Sequence, residues 1–138
     1  MQKEAIAAKH NVVNVGPFFD TDVAASQTNA QLLRGGSAAG DEWVAPCAGR
    51  IVYLTAHLSA AATAGSLTAG ASIGGTEDAD TTITITTAAT GYKQVARDLA
   101  KFAAGDSIGV EITTDGDWNG TTADLDVDIG VLLEDMAF

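Results

Sequence analysis

The sequence predicts a mainly β protein: an antiparallel, jelly-roll-like β-sandwich preceded by an extended N-terminal arm. Three observations support this prediction. From Trp43 onward, apolar side chains recur at every second position, as in strands that bury one face. Turns rich in Gly, Ala and Asp separate these short segments. Apolar residues make up 46% of the 138 residues but aromatic residues only 6%, which favours a thin core of small and β-branched side chains.

The pattern divides the chain near residue 42. Residues 1–42 show no regular alternation and are predicted to form an arm and linker, followed by a β-sandwich domain over residues 43–138. The apolar side chains of the arm are Val12, Val13, Val15, Phe18 and Phe19. They have no amphipathic partner segment of their own, so we expect them to form a contact arm on another protein. The sequence leaves an alternative equally open, in which this segment is a first strand on the sheet of the same domain.

Five segments of the second part alternate like half-buried antiparallel strands. Their predicted inward residues are Val52, Leu54, Ala56 and Leu58; Leu67, Ala69, Ala71 and Ile73; Ile83 and Ile85; Ile108, Val110 and Ile112; and Leu125, Val127, Ile129, Val131 and Leu133. In the last strand the opposite face carries Asp124, Asp126 and Asp128. These strands supply the two layers of the predicted sandwich.

The segment 92–103 does not follow this alternation. Apolar residues recur there at helical spacing, at Tyr92, Val95, Ala96, Leu99, Phe102 and Ala103, and Gly105 follows as a helix stop. That spacing favours a short helix, whereas a strand would mix Lys93 and Arg97 with Val95 on one face. The pattern leaves helix and strand open.

The charge of the chain excludes several classes of partner. The formal net charge is −11, and residues 51–138 carry thirteen acidic and three basic groups. Nucleic acids and anionic membrane surfaces are bound mainly through Lys and Arg, so neither is expected as a partner. The N-terminus lacks the apolar core of a secretory signal, and no run is long enough to span a bilayer. We therefore expect synthesis in the cytoplasm.

The Asp-rich stretch near the C-terminus raises the alternative of a calcium site. Asp115, Asp117, Asn119 and Gly120 match the first, third, fifth and sixth positions of a calcium-binding loop, and Asp126 falls at the twelfth. The segments on both sides alternate like strands rather than helices, and the twelfth ligand is usually a glutamate. The stretch is therefore predicted to be a β-hairpin turn, with a calcium site as the alternative.

Other residues that carry chemistry stand alone in the sequence. The two histidines, His10 and His57, lie outside any catalytic or metal-binding motif, and Cys47 has no second cysteine to pair with. No enzymatic site and no cofactor are expected. Trp118, inside the Asp-rich turn, is the candidate for stacking on a sugar, and its alternative is a lid that packs over the end of the sandwich.

Several stretches resemble a family of small virion proteins. They are "PCAGRIVYL", "TAGSLTAGASIGG", "FAAGDSIGVEITT" and the alternating C-terminal strand, which together lie within residues 43–138. Their turn and strand patterns are similar to those of the capsid decoration (cement) proteins and head-fibre knobs of tailed bacteriophages, which have a jelly-roll or tulip-like β-sandwich. A-G-D turns also precede strands in other sandwiches, so the resemblance indicates fold better than role.

The resemblance implies a homotrimer that binds the outside of a phage head at junctions between major capsid subunits and stabilises the shell. The N-terminal arm would reach onto neighbouring subunits, and the protein would be located on the capsid exterior. The alternative is a head-fibre or tail-associated knob that acts as a carbohydrate- or calcium-binding adhesion module.

Overall fold

A computed structural model describes residues 12–34 and 42–134. Within these residues the chain forms thirteen β-strands, one short 3-10 helix and no α-helix. The strands are β1 (Val12–Asn14), β2 (Phe18–Asp20), β3 (Ala30–Gln31), β4 (Leu33–Arg34), β5 (Trp43–Val44), β6 (Gly49–Leu58), β7 (Leu67–Ile73), β8 (Thr76–Glu77), β9 (Ile83–Ile85), β10 (Thr90–Gln94), β11 (Lys101–Phe102), β12 (Ser107–Thr114) and β13 (Leu125–Leu133). The 3-10 helix, Ala79–Thr81, lies between β8 and β9.

These strands form two antiparallel sheets that pack as a sandwich, which confirms the predicted fold class. The first sheet has the order β10-β6-β13-β2-β4, with β1 also paired to β13 and β11 also paired to β6. The second sheet has the order β3-β12-β7-β8, with β5 also paired to β12 and β9 also paired to β7. The two long strands β6 and β13 form the centre of the first sheet, and β7 and β12 form the centre of the second.

The core lies between the two sheets and follows the predicted alternation closely. Leu125, Val127 and Ile129 of β13 are fully buried, as are Ile108 and Val110 of β12. Each strand thus contributes every second side chain to the core, because successive side chains of a strand point to opposite faces. The predicted inward faces of these two strands are confirmed.

One predicted inward residue differs because the register of the first sheet shifts. Gly130 pairs with Tyr53, whereas the next residue, Val131, pairs with Ile51, so a β-bulge leaves Val52 as the additional residue. Ile51 is therefore fully buried, and Val52 is only half-buried. The prediction that Val52 belongs to the buried face is wrong, since a bulge reverses the alternation beyond it.

The prediction of a separate N-terminal arm is wrong for residues 12–34. Strands β1 and β2 pair with β13, β4 pairs with β2, and β3 pairs with β12. Val15 and Phe18 have exposed fractions of 2% and 0%, so they belong to the core of their own chain. Strands β1 and β2 of this segment pair with the edge of β13 that β6 leaves free. This is the alternative that the sequence left open, in which the segment joins the sheet of the same domain. Residues 1–11 and 35–41 lie outside the described residues.

The remaining residues of the predicted contact arm are at least partly exposed. Val12 and Val13 are exposed on β1, with exposed fractions of 50% and 39%. Phe19 is half-buried and pairs with Asp126, which lies on the outer face of β13. Of the five predicted contact residues, Val12, Val13 and Phe19 remain accessible to another protein.

The helix suggested for residues 92–103 is not formed. Residues 90–94 form β10 and residues 101–102 form β11, and both strands pair with β6. Tyr92 and Leu99 are exposed, so the apolar residues at helical spacing do not share a buried face. Asp98 and Ala100 have positive φ angles of 71° and 50°, which interrupt a helical path. Strands β10 and β11 instead supply hydrogen-bond partners to the backbone groups along the outer edge of β6.

The burial of Phe18 predicts a large effect of its removal on stability. Phe18→Ala should lower the free energy of unfolding by about 3–5 kcal/mol, because it leaves a cavity between the sheets. Phe19→Ala, on the outer face of the same strand, is the matched control and should cost clearly less. Urea unfolding followed by circular dichroism measures both values. Equal effects of the two substitutions would contradict the placement of β2 in the core.

Candidate functional site

The Asp-rich turn connects the two sheets rather than two strands of a hairpin. It leads from β12 in the second sheet to β13 in the first sheet. The predicted β-hairpin is therefore wrong. Both strands already have partners on their two edges, β7 with β3 and β5 for one, and β6 with β1 and β2 for the other. No edge is left on which β12 and β13 would pair with each other.

Within this turn, the carboxylate of Asp115 accepts hydrogen bonds from its own chain. Its Oδ2 accepts from Ser66 Oγ at 2.9 Å, and its Oδ1 accepts from the backbone N–H of Asp117 at 3.1 Å. The hydrogen bond from Ser66 lowers the pKa of the Asp115 carboxyl below its ordinary value. Asp115 thus stays ionised and fixes the turn to the segment that precedes β7.

Asn119 likewise joins the turn to another segment, the loop that follows β6. Its Oδ1 accepts from the backbone N–H groups of Thr63 and Ala64 at 2.9 and 3.1 Å, and its Nδ2 donates to Thr63 Oγ1 at 2.7 Å. The side-chain amide therefore joins two loops at one end of the sandwich through three hydrogen bonds.

The predicted calcium ligands are not brought together. Asp126 lies in β13, where it pairs with His57, and is not part of the turn. Over residues 12–34 and 42–134, no group of three or more His, Cys, Asp or Glu side chains is placed to hold a metal ion. Asp115, Asp117 and Asp126 therefore do not form the carboxylate set of a calcium loop in this structure.

Trp118 is a lid and not a sugar platform. Its exposed fraction is 3%, and its Nε1–H donates to the backbone carbonyl of Val23 at 3.0 Å. Burial of the ring with its one donor satisfied is the usual arrangement for a structural tryptophan. Trp118 is therefore not available as the candidate residue for sugar stacking, and the lid that the sequence also predicted is formed.

A groove with a different aromatic residue lies on the outer face of the first sheet. Tyr92 of β10 pairs with Thr55 of β6, which pairs in turn with Asp128 of β13. Side chains directly opposite in antiparallel strands lie side by side on one face, so these residues form one row across the sheet. A second, neighbouring row contains Thr90, His57 and Asp126.

We call this feature the Tyr92 groove. It has a volume of about 640 Å³ and is lined by Thr55, Ala56, His57, Thr82, Ile83, Thr84, Thr90, Gly91, Tyr92, Asp126 and Asp128. The wall formed by residues 82–84 stands close to β10 because Gly91 faces Ile83. A Cβ at Gly91 would lie 2.5 Å from Ile83 Cγ2, so a larger residue would fit only if Ile83 or the backbone shifted.

Tyr92 is the most exposed large apolar side chain of the described residues, with an exposed fraction of 78%. His57 and Thr55 are exposed beside it, and both aspartates are half-buried. Sequence reasoning missed this site because the spacing of residues 92–103 left helix and strand open, so Tyr92 was not assigned to a sheet face. The usable signal was the alternation of threonine and isoleucine in residues 81–87, which marks a strand with a hydroxyl-bearing outer face.

Three glutamates gather on the outer face of the second sheet. Glu111 of β12 has an exposed fraction of only 8%, and Glu42 and Glu77 beside it are half-buried. Gly109 lies beneath this glutamate patch, where a Cβ would come within 3.0 Å of both Glu42 Cγ and Ser72 Oγ. The absence of a side chain at Gly109 allows the polar groups to lie flat on the sheet.

The glutamate patch is electrostatically unfavourable at neutral pH. Burial raises the pKa of the Glu111 carboxyl above its ordinary value of 4.5, and the negative charge of Glu42 raises it further. Burial likewise raises the pKa of Glu77, and the charge of Glu111 adds to this effect. Within the described residues, four buried polar atoms of the patch have no hydrogen-bond partner: Gln31 Nε2, Glu42 Oε2, Ser72 Oγ and Glu77 Oε2. A proton shared among the carboxyls would relieve part of this cost.

The other residues singled out in the sequence lie apart. Cys47 is half-buried and packs against the core, outside the Tyr92 groove, whereas His57 lies inside the groove. The described residues include no helix that is long and apolar enough to cross a membrane. No protein-family model matches the sequence, and no match was found among curated proteins.

The hydrogen bonds of Asn119 predict a calcium-independent role in stability. Asn119→Ala should lower the free energy of unfolding by about 1–2 kcal/mol, because three hydrogen bonds between the two loops are lost. The loss should be the same in the presence of calcium and of a chelator, as measured by thermal unfolding. Asp117→Ala is the control and should change stability by less than about 0.5 kcal/mol. A calcium-dependent rise in melting temperature that either substitution removes would restore the calcium alternative.

The glutamate patch predicts a specific pH dependence. A carboxyl whose pKa is raised in the folded state binds its proton before the unfolded chain does, so its contribution to stability grows as the pH falls from neutral towards 4.5 and is lost as the pH rises. Glu111→Gln should therefore raise the free energy of unfolding at about pH 7 and reduce the gain that the wild type shows at about pH 5. Urea unfolding at both pH values measures this.

The control for this prediction is Glu134→Gln, which removes an exposed glutamate after β13. Burial also raises the pKa of Asp20, but that group contributes equally to the wild type and to both variants. An unchanged pH dependence in Glu111→Gln would show that the patch does not hold a proton more tightly in the folded state.

Proposed function

We propose that this chain is a virion structural protein, a capsid decoration (cement) protein of a tailed bacteriophage. It binds the outside of the phage head at junctions between major capsid subunits, as a homotrimer, and stabilises the shell. Its β-sandwich agrees with the fold that the sequence resemblance implies. The proposed partner is the major capsid protein, and the proposed location is the capsid exterior.

The single observation that carries the proposal is the exposed apolar strand β1. It pairs with β13 on one side, and no described strand pairs with its other edge. Val12 and Val13 are both exposed on it. An edge strand with free backbone groups and apolar side chains is a typical site for association with another chain, and soluble proteins otherwise protect such edges.

The acidic charge of the sandwich supports an orientation in which β1 contacts the capsid and the acidic surface faces water. Asp126 and Asp128 lie on the outer face of β13, Asp124 immediately precedes the strand, and the whole chain has a net charge of −11. A strongly charged surface remains solvated and resists self-association, which suits the side of a capsid protein that faces water. The charge also argues against nucleic acid or an anionic membrane as the partner.

This proposal predicts that charge on β1 prevents capsid binding. Val12→Asp and Val13→Asp together should reduce binding to capsids of the same phage that lack this protein, because aspartate cannot be buried without losing its hydration. Co-sedimentation of purified protein with such capsids measures the bound fraction. Val44→Asp is the matched control, since Val44 is more exposed than Val12 and Val13, with an exposed fraction of 60%, but lies on β5 of the second sheet.

The same samples test the oligomeric state. Light scattering of the free wild-type protein should give the mass of three chains of 14.0 kDa each. Full capsid binding by the β1 variant would refute β1 as the contact surface, and absence of wild-type binding would refute the decoration role. A monomer at micromolar concentration would remove the trimer from the proposal.

A further inference from the structure

We propose that the Tyr92 groove binds a neutral sugar, with the ring of Tyr92 as the stacking platform and Asp126 and Asp128 as acceptors for sugar hydroxyl groups. This inference does not rest on the capsid role, because it concerns the isolated protein. The groove also lies where β10 and β6 pair, whereas β1 pairs with the other edge of β13. The volume of the Tyr92 groove, about 640 Å³, lies within the range of small-molecule sites.

The first argument is the position of Tyr92. Its side chain has an exposed fraction of 78%, and it is the only aromatic residue among the large exposed apolar side chains of the described residues. It stands on a strand whose residues all pair with β6, from Thr90 to Gln94, so the ring is carried by a rigid part of the fold. An exposed ring of this kind offers an apolar face to the C–H groups of a sugar and a hydroxyl to solvent.

The second argument is the set of polar partners beside the ring. The row that begins at Tyr92 continues to Thr55 and Asp128, and the neighbouring row contains His57 and Asp126. Three adjacent strands hold these groups over about 10 Å, since neighbouring strands lie about 4.8 Å apart. A carboxylate accepts several hydrogen bonds, and threonine and histidine both donate and accept, so neighbouring hydroxyls of one sugar ring find partners of both kinds.

The third argument is charge, which selects a neutral ligand. The two carboxylates of the groove repel uronic acids, sialic acids and phosphates. The basic residues on this face are Arg50 and Lys101. They lie opposite each other in the register of β6 and β11, at the far end of β6, and do not line the groove. A cationic peptide would satisfy the carboxylates, but it would leave unused the hydroxyls of Thr82, Thr84 and Thr90 on the facing walls.

Nuclear magnetic resonance titration of the purified, isotopically labelled protein tests the proposal. The probes are methyl glycosides of glucose, galactose, mannose, N-acetylglucosamine and N-acetylgalactosamine, with glucuronic acid, N-acetylneuraminic acid and penta-arginine as comparisons. At least one neutral glycoside should bind with a Kd of order 1–10 mM and shift the amide signals of His57, Tyr92 and Asp126. The two acidic sugars should not bind.

Variants then locate the site. Tyr92→Ala should weaken binding of that glycoside about fivefold or more, because the stacking surface is lost, whereas Tyr92→Phe should retain it. Leu99→Ala removes another exposed apolar side chain outside the groove and should have no effect. Because Tyr92 and Leu99 are both exposed, we expect all three variants to keep the fold, which circular dichroism checks.

Three results would overturn the proposal. The first is the absence of binding by every neutral glycoside at about 50 mM. The second is binding that Tyr92→Ala leaves unchanged, since the sugar would then occupy another site. The third is a response to penta-arginine alone, which would identify the groove as a binding site for basic peptides.

Discussion

The pairing of β13 along both of its edges is the constraint on which the rest of the structure depends. One edge pairs with β6 over its whole length, and the other edge pairs with β1 and β2. This arrangement holds Val127 and Ile129 in the core and turns Asp126 and Asp128 outward. It also fixes the register that places the aspartates beside His57 and Thr55. The same strand pairing therefore positions both the core residues and the groove residues of β13.

The two outer faces of the sandwich use polar residues in opposite ways. On the first sheet, threonines, His57 and two aspartates surround an exposed ring and remain accessible to a ligand. On the second sheet, the glutamate patch lies flat over Gly109 and is largely withdrawn from solvent. Accessible polar groups on a rigid sheet suit binding, whereas withdrawn carboxyls respond to protons. The fold therefore carries an open polar groove on one layer and a patch of withdrawn carboxyls on the other.

The sequence predicted the parts of this structure that depend on local alternation. The inward residues of β12 and β13 followed from period two alone, because each of these strands buries one face over most of its length. The positions of Val52 and Tyr92 were not predictable in this way. A bulge at Gly130 displaces Val52, and the free edge of β6 draws residues 90–94 into a strand despite their helical spacing. Both effects arise from pairing between distant segments, which a local pattern does not record. The burial of Trp118 likewise depends on a carbonyl 95 positions earlier in the chain.

The order of strands in the first sheet has a consequence for synthesis on the ribosome. Strand β13 follows every other described strand in the sequence, yet it lies between β6 and the N-terminal strands β1 and β2. While the nascent chain is still growing, β2 can pair with β4, but β1 and the other edge of β2 lack their partner β13 until residues 125–133 leave the exit tunnel. The first sheet can therefore close only after translation has passed β13, and until then the edge that β1 later shares with β13 stays open to pairing with other strands.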